Sequence, residues 1–108
     1  MSMFQNYKIV FDELDWYEAG DGMRYKRIQL GDRQVRLVEW DKAMVHANWC
    51  HKGHIGYVID GEVEIDIAGK VFRYGAGDVF IVPEGEEHKH RPKVLSEKMR
   101  FFSVEKAS

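Results

Sequence analysis

Between Glu62 and Ile67 acidic and aliphatic side chains alternate one for one, as Glu62-Val63-Glu64-Ile65-Asp66-Ile67. A period of two belongs to an extended strand with one face in the core and the other in water. It also assigns the acids. They read as a solvated face and not as paired working carboxylates, because ionised side chains are seldom buried without partners. On both sides glycine cuts the chain into short apolar runs. The runs 9–11, 14–17, 25–30 and 34–40 are broken by Gly20-Asp21-Gly22 and by Gly31-Asp32. The runs 55–59, 71–74 and 79–82 are bounded by Asp60-Gly61, Ala68-Gly69-Lys70, Gly75-Ala76-Gly77-Asp78 and Pro83. Strand-length runs at this spacing predict an all-β sandwich or barrel. Asp60-Gly61 reads as a hairpin turn, and 88–94 and 100–104 supply the last strands. In 34–40, Val35, Leu37 and Glu39 alternate with Arg36, Val38 and Trp40, so its inward face stays open. No stretch carries a long helical period; 12–18 suits a turn or two of helix as well as it suits a strand.

A chain of 108 residues is about one domain's worth. Its 44% hydrophobic content is ordinary for a packed core and excludes a disordered chain. No apolar run approaches the roughly 20 residues that cross a bilayer, so no membrane partner is expected. The opening MSMFQNYKIV lacks a basic stretch followed by an apolar core, which places the protein in the cytoplasm by default. A net charge of −2 argues against nucleic acid as the main partner. The basic cluster at 88–93, HKHRPK, reads as a rim before it reads as an anion-binding rim. Cys50 has no second cysteine to pair with, which fits a reducing compartment. Neither a Gly-x-Ser-x-Gly elbow, nor a phosphate-cradling Gly-Lys-Ser/Thr loop, nor a Cys-x-x-Cys pair is present.

The segment Gly77-Asp78-Val79-Phe80-Ile81-Val82-Pro83-Glu84-Gly85-Glu86-Glu87-His88 resembles the second motif of the cupin superfamily: Gly, five residues, Pro-x-Gly, two residues, His. All four fixed positions match, and the Asn that closes the family's motif is Pro92 here. The first cupin motif, His-x-His, three or four residues, Glu, six residues, Gly, ends recognisably in GYVIDG at 56–61. Counting back from Gly61 puts His54 at the Glu position. The short gap then sets Cys50 and Asn48 at the two His positions, and the long gap sets Trp49 and Ala47, which are poor ligands. The string WCHKGHIGYV at 49–58 is also similar to a subgroup of small bacterial cupins with a Cys/His variant of this motif. The resemblance covers about 45–94, with motif 1 at about 46–61 and motif 2 at about 77–92. It implies one small antiparallel β-barrel, or jelly roll, over residues 1–108.

Of the family's four ligand positions only His88 keeps its residue, so the resemblance implies a variant metal site. In a continuous strand Cys50 and His54 share a face, and Asn48 shares their parity. In the cupin arrangement that face points into the barrel, and His88 arrives from the neighbouring motif. Cys50, His54 and His88 form an N/S set suited to zinc or iron first, with nickel or copper behind them. Three protein ligands leave a position open for water or substrate. Asn48 and His90 are additional pocket candidates, His90 because it shares the strand parity of His88. His46 and His51 read as rim residues, and Tyr57 faces away from His54. Trp16, Trp40, Trp49, Phe80 and Phe102 read as core or interface material, some of them lining a pocket for a small, partly apolar ligand. Arg36 and Arg100 read as solvated. The implied function is a metal-dependent oxygenase, isomerase or lyase acting on a small metabolite. The alternative is a non-catalytic, metal-free cupin module that binds a small molecule or dimerises. The family also implies a homodimer.

Overall fold

The structure, a computed structural model, describes residues 7–44 and 48–107. It is built from strands β1 (Tyr17–Gly20), β2 (Met23–Leu30), β3 (Arg33–Asp41), β4 (His54–Asp60), β5 (Glu62–Ile67), β6 (Lys70–Gly75), β7 (Val79–Val82), β8 (His90–Val94) and β9 (Lys98–Lys106). They form an antiparallel six-stranded sheet in the order β1-β2-β3-β9-β4-β7 and a three-stranded sheet in the order β6-β5-β8. The two face each other as a jelly roll. The alternation at 62–67 does what it predicts: Val63 and Ile65 are buried, and Glu62 is exposed. Val38, Val58, Val63 and Met99 have no exposed surface. Phe80 joins the two sheets, its ring 5.1 Å from Phe101 on one side and 6.0 Å from Tyr74 on the other. Such edge-on pairs add about 0.5–1.5 kcal/mol beyond area burial. Gly56, directly across from Phe80 in β4, makes room for that ring: a Cβ there would lie 2.1 Å from the Phe80 Cζ.

Two expectations are corrected. Asp60-Gly61 does not close a hairpin, because β4 and β5 lie in different sheets; it carries the chain from one sheet to the other. The runs 9–11 and 14–17 are not strands. Phe11–Glu13 is a 3-10 turn, and pairing begins only at Tyr17.

That N-terminal segment explains the two apolar faces of 34–40. Val38 and Trp40 pack inward, while the opposite face of β3 and β9 is covered from outside. The Phe11 ring meets Phe102 at 6.2 Å, and the Lys26 ammonium donates to the Phe11 carbonyl at 2.8 Å. Trp16 lies beneath the guanidinium of Arg24 at 4.2 Å.

Glu39 is buried in this outer layer and accepts from Arg24 Nε at 2.9 Å and Arg100 Nε at 2.8 Å. Burial pushes its carboxyl up, but the hydrogen bonds and charges of Arg24 and Arg100 outweigh this and hold its pKa below 4.5. A carboxylate with a lowered folded pKa adds stability above its unfolded pKa, and that stability is lost as pH falls through the folded value. Both arginines are partly solvated, so the contribution is about 1 kcal/mol. Glu39→Gln is expected to lower the melting temperature at pH 7 by roughly 4–8 °C, with the gap to the native protein narrowing at pH 3. Thermal melts at the two pH values check this, and an equal gap at both would show that the ion pairs contribute nothing.

Candidate metal centre and adjoining cavity

Three side chains from three places in the chain meet where the two sheets come together. His54 opens β4 and points inward with Gly56 and Val58, the two buried positions that share its parity. His90 opens β8, across from Ile67 of β5, and is 5% exposed. Cys50 precedes β4 and is tied to β8 by reciprocal backbone bonds: the Cys50 N–H donates to the His90 carbonyl at 2.9 Å, and the His90 N–H to the Cys50 carbonyl at 3.0 Å. One donor atom from each of the three lies within 4.8 Å of the others. The Cys50 Sγ is 3.7 Å from His54 Nε2, and the two imidazoles meet edge to face at 5.0 Å.

Outer partners orient both rings. His54 Nδ1 is 2.5 Å from the Glu105 carboxylate, and His90 Nδ1 is 3.2 Å from the His88 carbonyl. Burial pushes the Glu105 carboxyl up, but the His54 hydrogen bond and the charges of Arg36, His54 and Lys52 overcome it and leave its pKa below 4.5. Glu105 is therefore an acceptor, so His54 Nδ1 must carry the proton. Nε2 is then the atom turned toward Cys50. A carboxylate behind a histidine in this way orients a metal-binding imidazole and raises its basicity.

These donors suit a transition metal. Zinc–sulfur and zinc–nitrogen bonds of about 2.3 and 2.0–2.1 Å in a tetrahedron put S and N about 3.6 Å apart, close to the 3.7 Å between Cys50 and His54.

The structure brings Cys50 and His54 together as expected, but with His90 in place of His88. His88 ends the 3-10 turn Glu86–His88, is 38% exposed at its side chain, and has its Nε2 3.9 Å from Glu87. It takes part through its carbonyl alone. Asn48 is exposed and is not among the residues lining the cavity. His51 is a rim residue, 2.8 Å from Glu86, and His46 lies outside the described residues. Arg36 is corrected: its side chain is 14% exposed, lines the cavity and has its Nε 3.3 Å from Glu105. Arg100 stays on the outer face with Glu39. Of the aromatics, Trp40 and Phe80 line the cavity, whereas Trp49 stacks under Arg91 at 4.5 Å. Sequence reasoning missed Glu105. The signal was the alternation Met99, Phe101, Ser103, Glu105, all four of them buried.

Next to the cluster lies a cavity of about 210 Å³. Met23, Trp40, Phe80 and Phe101 give it apolar walls, and Arg36, Lys52 and Glu105 stand with the cluster as its polar part. Ligand pockets are typically about 300–1,000 Å³, so this one fits only a small molecule.

Comparison with known proteins agrees with this architecture. KdgF from a Halomonas species superposes with a TM-score of 0.77 at 22% identity, over 92% of this chain and 91% of that one. An RmlC-like cupin from Shewanella frigidimarina gives 0.76 at 17% identity, over 94% and 91%. A sugar phosphate isomerase of a cupin superfamily from Silicibacter pomeroyi gives 0.72 at 17% identity, over 94% and 76%. At these identities the likeness is one of fold. No curated protein matches the chain in sequence. Among the described residues, no helix is long and apolar enough to cross a membrane. The family model for the cupin domain matches residues 37–105, from the middle of β3 to the end of β9, and the chain belongs to the cupin family.

Proposed function

We propose that the chain, one cupin barrel over residues 1–108, holds a divalent transition metal on Cys50, His54 and His90. The metal would act on a small metabolite in the adjoining cavity. The carrying observation is the convergence of the three donors within 4.8 Å, with His54 held from behind by Glu105 at 2.5 Å. The thiolate and two imidazoles favour zinc or iron, with nickel or copper next. The bound ion supplies Lewis acidity, or a redox centre in the case of iron. The chain's part is to fix three ligands, leave a coordination position open and exclude water with the apolar walls. Oxygenase, isomerase and lyase chemistry all fit these roles. A free thiol as ligand suits a reducing compartment, which supports a cytoplasmic setting. Elemental analysis of untagged protein tests the reading. Near-stoichiometric transition metal is the expected result. Negligible metal after reconstitution would refute it and leave a metal-free binding cup.

A homodimer is part of the same reading. Ile55, Tyr57, Val79, Ile81 and Val104 lie side by side across β9, β4 and β7 and are 39–65% exposed, with Ile59 at 47%. A contiguous apolar face of this kind marks an interaction surface, and a two-fold axis through it would bury the same residues on both copies. Ile81→Glu, at a position that contributes little to the core, is expected to convert a dimer into a folded monomer. Light scattering reads this directly, and a native protein of monomeric mass would end the idea.

A further inference from the structure

The cavity carries more positive charge than its own acid can balance. Its one carboxylate, Glu105, faces two basic side chains, with Arg36 Nε at 3.3 Å and Lys52 Nζ at 3.7 Å from the same oxygen. That oxygen already accepts from Gln34 Nε2 at 2.9 Å, and Arg36 makes no hydrogen bond to it. Among the described residues, the terminal amino groups of Arg36 have no hydrogen-bond partner; the Tyr25 ring, 5.5 Å from its Cζ, supports the guanidinium. A largely buried guanidinium with an unused fork is a site for a planar, two-oxygen anion. The rest of the wall is apolar, from Met23, Trp40, Phe80 and Phe101. The volume, about 210 Å³, is about seven waters' worth at roughly 30 Å³ each. A space of that size takes a small molecule, and its apolar wall favours an apolar body.

We infer that the cavity binds a small monocarboxylate with an apolar or aromatic body, its carboxylate on Arg36 with Lys52 beside it and its body against Trp40 and Phe80. This deepens the reading of the barrel as a metabolite-binding cupin and rests on it, but the anchor is Arg36 and does not depend on the metal. The ligand would thus be held by its acid end, with its body beside the Cys50, His54 and His90 cluster.

Calorimetric titration with phenylacetate and with the isosteric neutral phenylacetamide tests the inference on native protein, zinc-loaded and chelator-stripped. Phenylacetate is expected to bind both forms, and the amide about tenfold or more weakly, the scale of a lost charge-assisted hydrogen bond. Arg36→Gln should weaken phenylacetate by a similar factor without changing the amide, and Arg36→Lys should recover part of the loss. Equal binding of acid and amide would overturn the inference. So would acid binding that survives Arg36→Gln but vanishes on stripping, since the metal would then be the anchor. Binding of inorganic phosphate in preference to the acid would overturn the carboxylate assignment. Failure of phenylacetate, benzoate and isovalerate alike would overturn it too. Metal content in the same preparations reports separately on the metal centre.

Discussion

Cys50→Ala, His54→Ala and His90→Ala are each expected to lower zinc affinity by more than about 100-fold, whereas His88→Ala leaves it within about threefold. The first three remove a donor from a three-donor set, and losing even an outer partner of a metal ligand typically costs 10–100-fold. His88 contributes its backbone carbonyl to His90, at 3.2 Å, and alanine keeps that carbonyl. Glu105→Gln belongs between the two groups. It keeps the shape of the side chain but weakens the hold on His54 Nδ1, so a fall of about 10–100-fold is expected.

Competition titration of zinc against a chromophoric chelator measures all five variants, with thermal melts to separate lost affinity from lost folding. Metal retained in His90→Ala and lost in His88→Ala would overturn the ligand set, because the His88 ring would then have to turn inward. Metal retained in every variant would place it elsewhere. The comparison of His88 with His90 is the sharpest part of the series, since the two histidines are two residues apart, one at the rim and one buried in the cluster.

The exchange of His90 for His88 shows what a motif count can and cannot see. Counting along 77–88 reaches His88 correctly, but Glu86–His88 is wound into a 3-10 turn and β8 begins only at His90. Strand parity therefore applies from His90 onward, and the preceding histidine is carried out to the rim. Glu105 was missed for a related reason: a last strand expected at 100–104 stops one residue short of it, while β9 runs to Lys106. Strands with one wet and one buried face were legible, as at 62–67. So was the fully apolar 79–82 run with its closing proline. Arg36 was not, because its strand is covered on both faces. Nothing local says that Phe11 and Trp16 fold back over the outer face rather than pair as strands. Asp60-Gly61 was read as a hairpin turn and is a crossover instead, because a turn signal does not say which sheet the next strand joins.

The largest stability effect is expected at Gly61, the glycine that closes the first cupin motif and makes the crossover from β4 to β5. Two constraints meet there. Its φ is +85°, in the left-handed region, and a Cβ would fall 2.3 Å from the Lys98 carbonyl oxygen and 2.6 Å from the Met99 Cα. Both contacts are to backbone in β9, and Met99 has no exposed surface, so neither neighbour has room to give. Gly69, in the β5–β6 turn, is a built-in control. Its φ is +92°, but nothing lies within 4 Å of its added Cβ. Gly69→Ala should cost the conformational term alone, about 1–2 kcal/mol. Gly61→Ala adds the steric displacement of β9 and should exceed about 4 kcal/mol, a large part of the 5–15 kcal/mol that holds a domain of this size together. In urea unfolding followed by tryptophan fluorescence, Gly69→Ala is expected to show a modest shift in midpoint. Gly61→Ala is expected to unfold at a much lower midpoint, having lost more than about 4 kcal/mol. Equal shifts for the two would mean that the crossover is loose enough to admit a methyl group. The close approach of β5 to β9 that frames the cavity would then not be rigid. The separation of the two effects is what ties this one glycine to the spacing of the sheets, and through it to the position of His54, seven residues before Gly61.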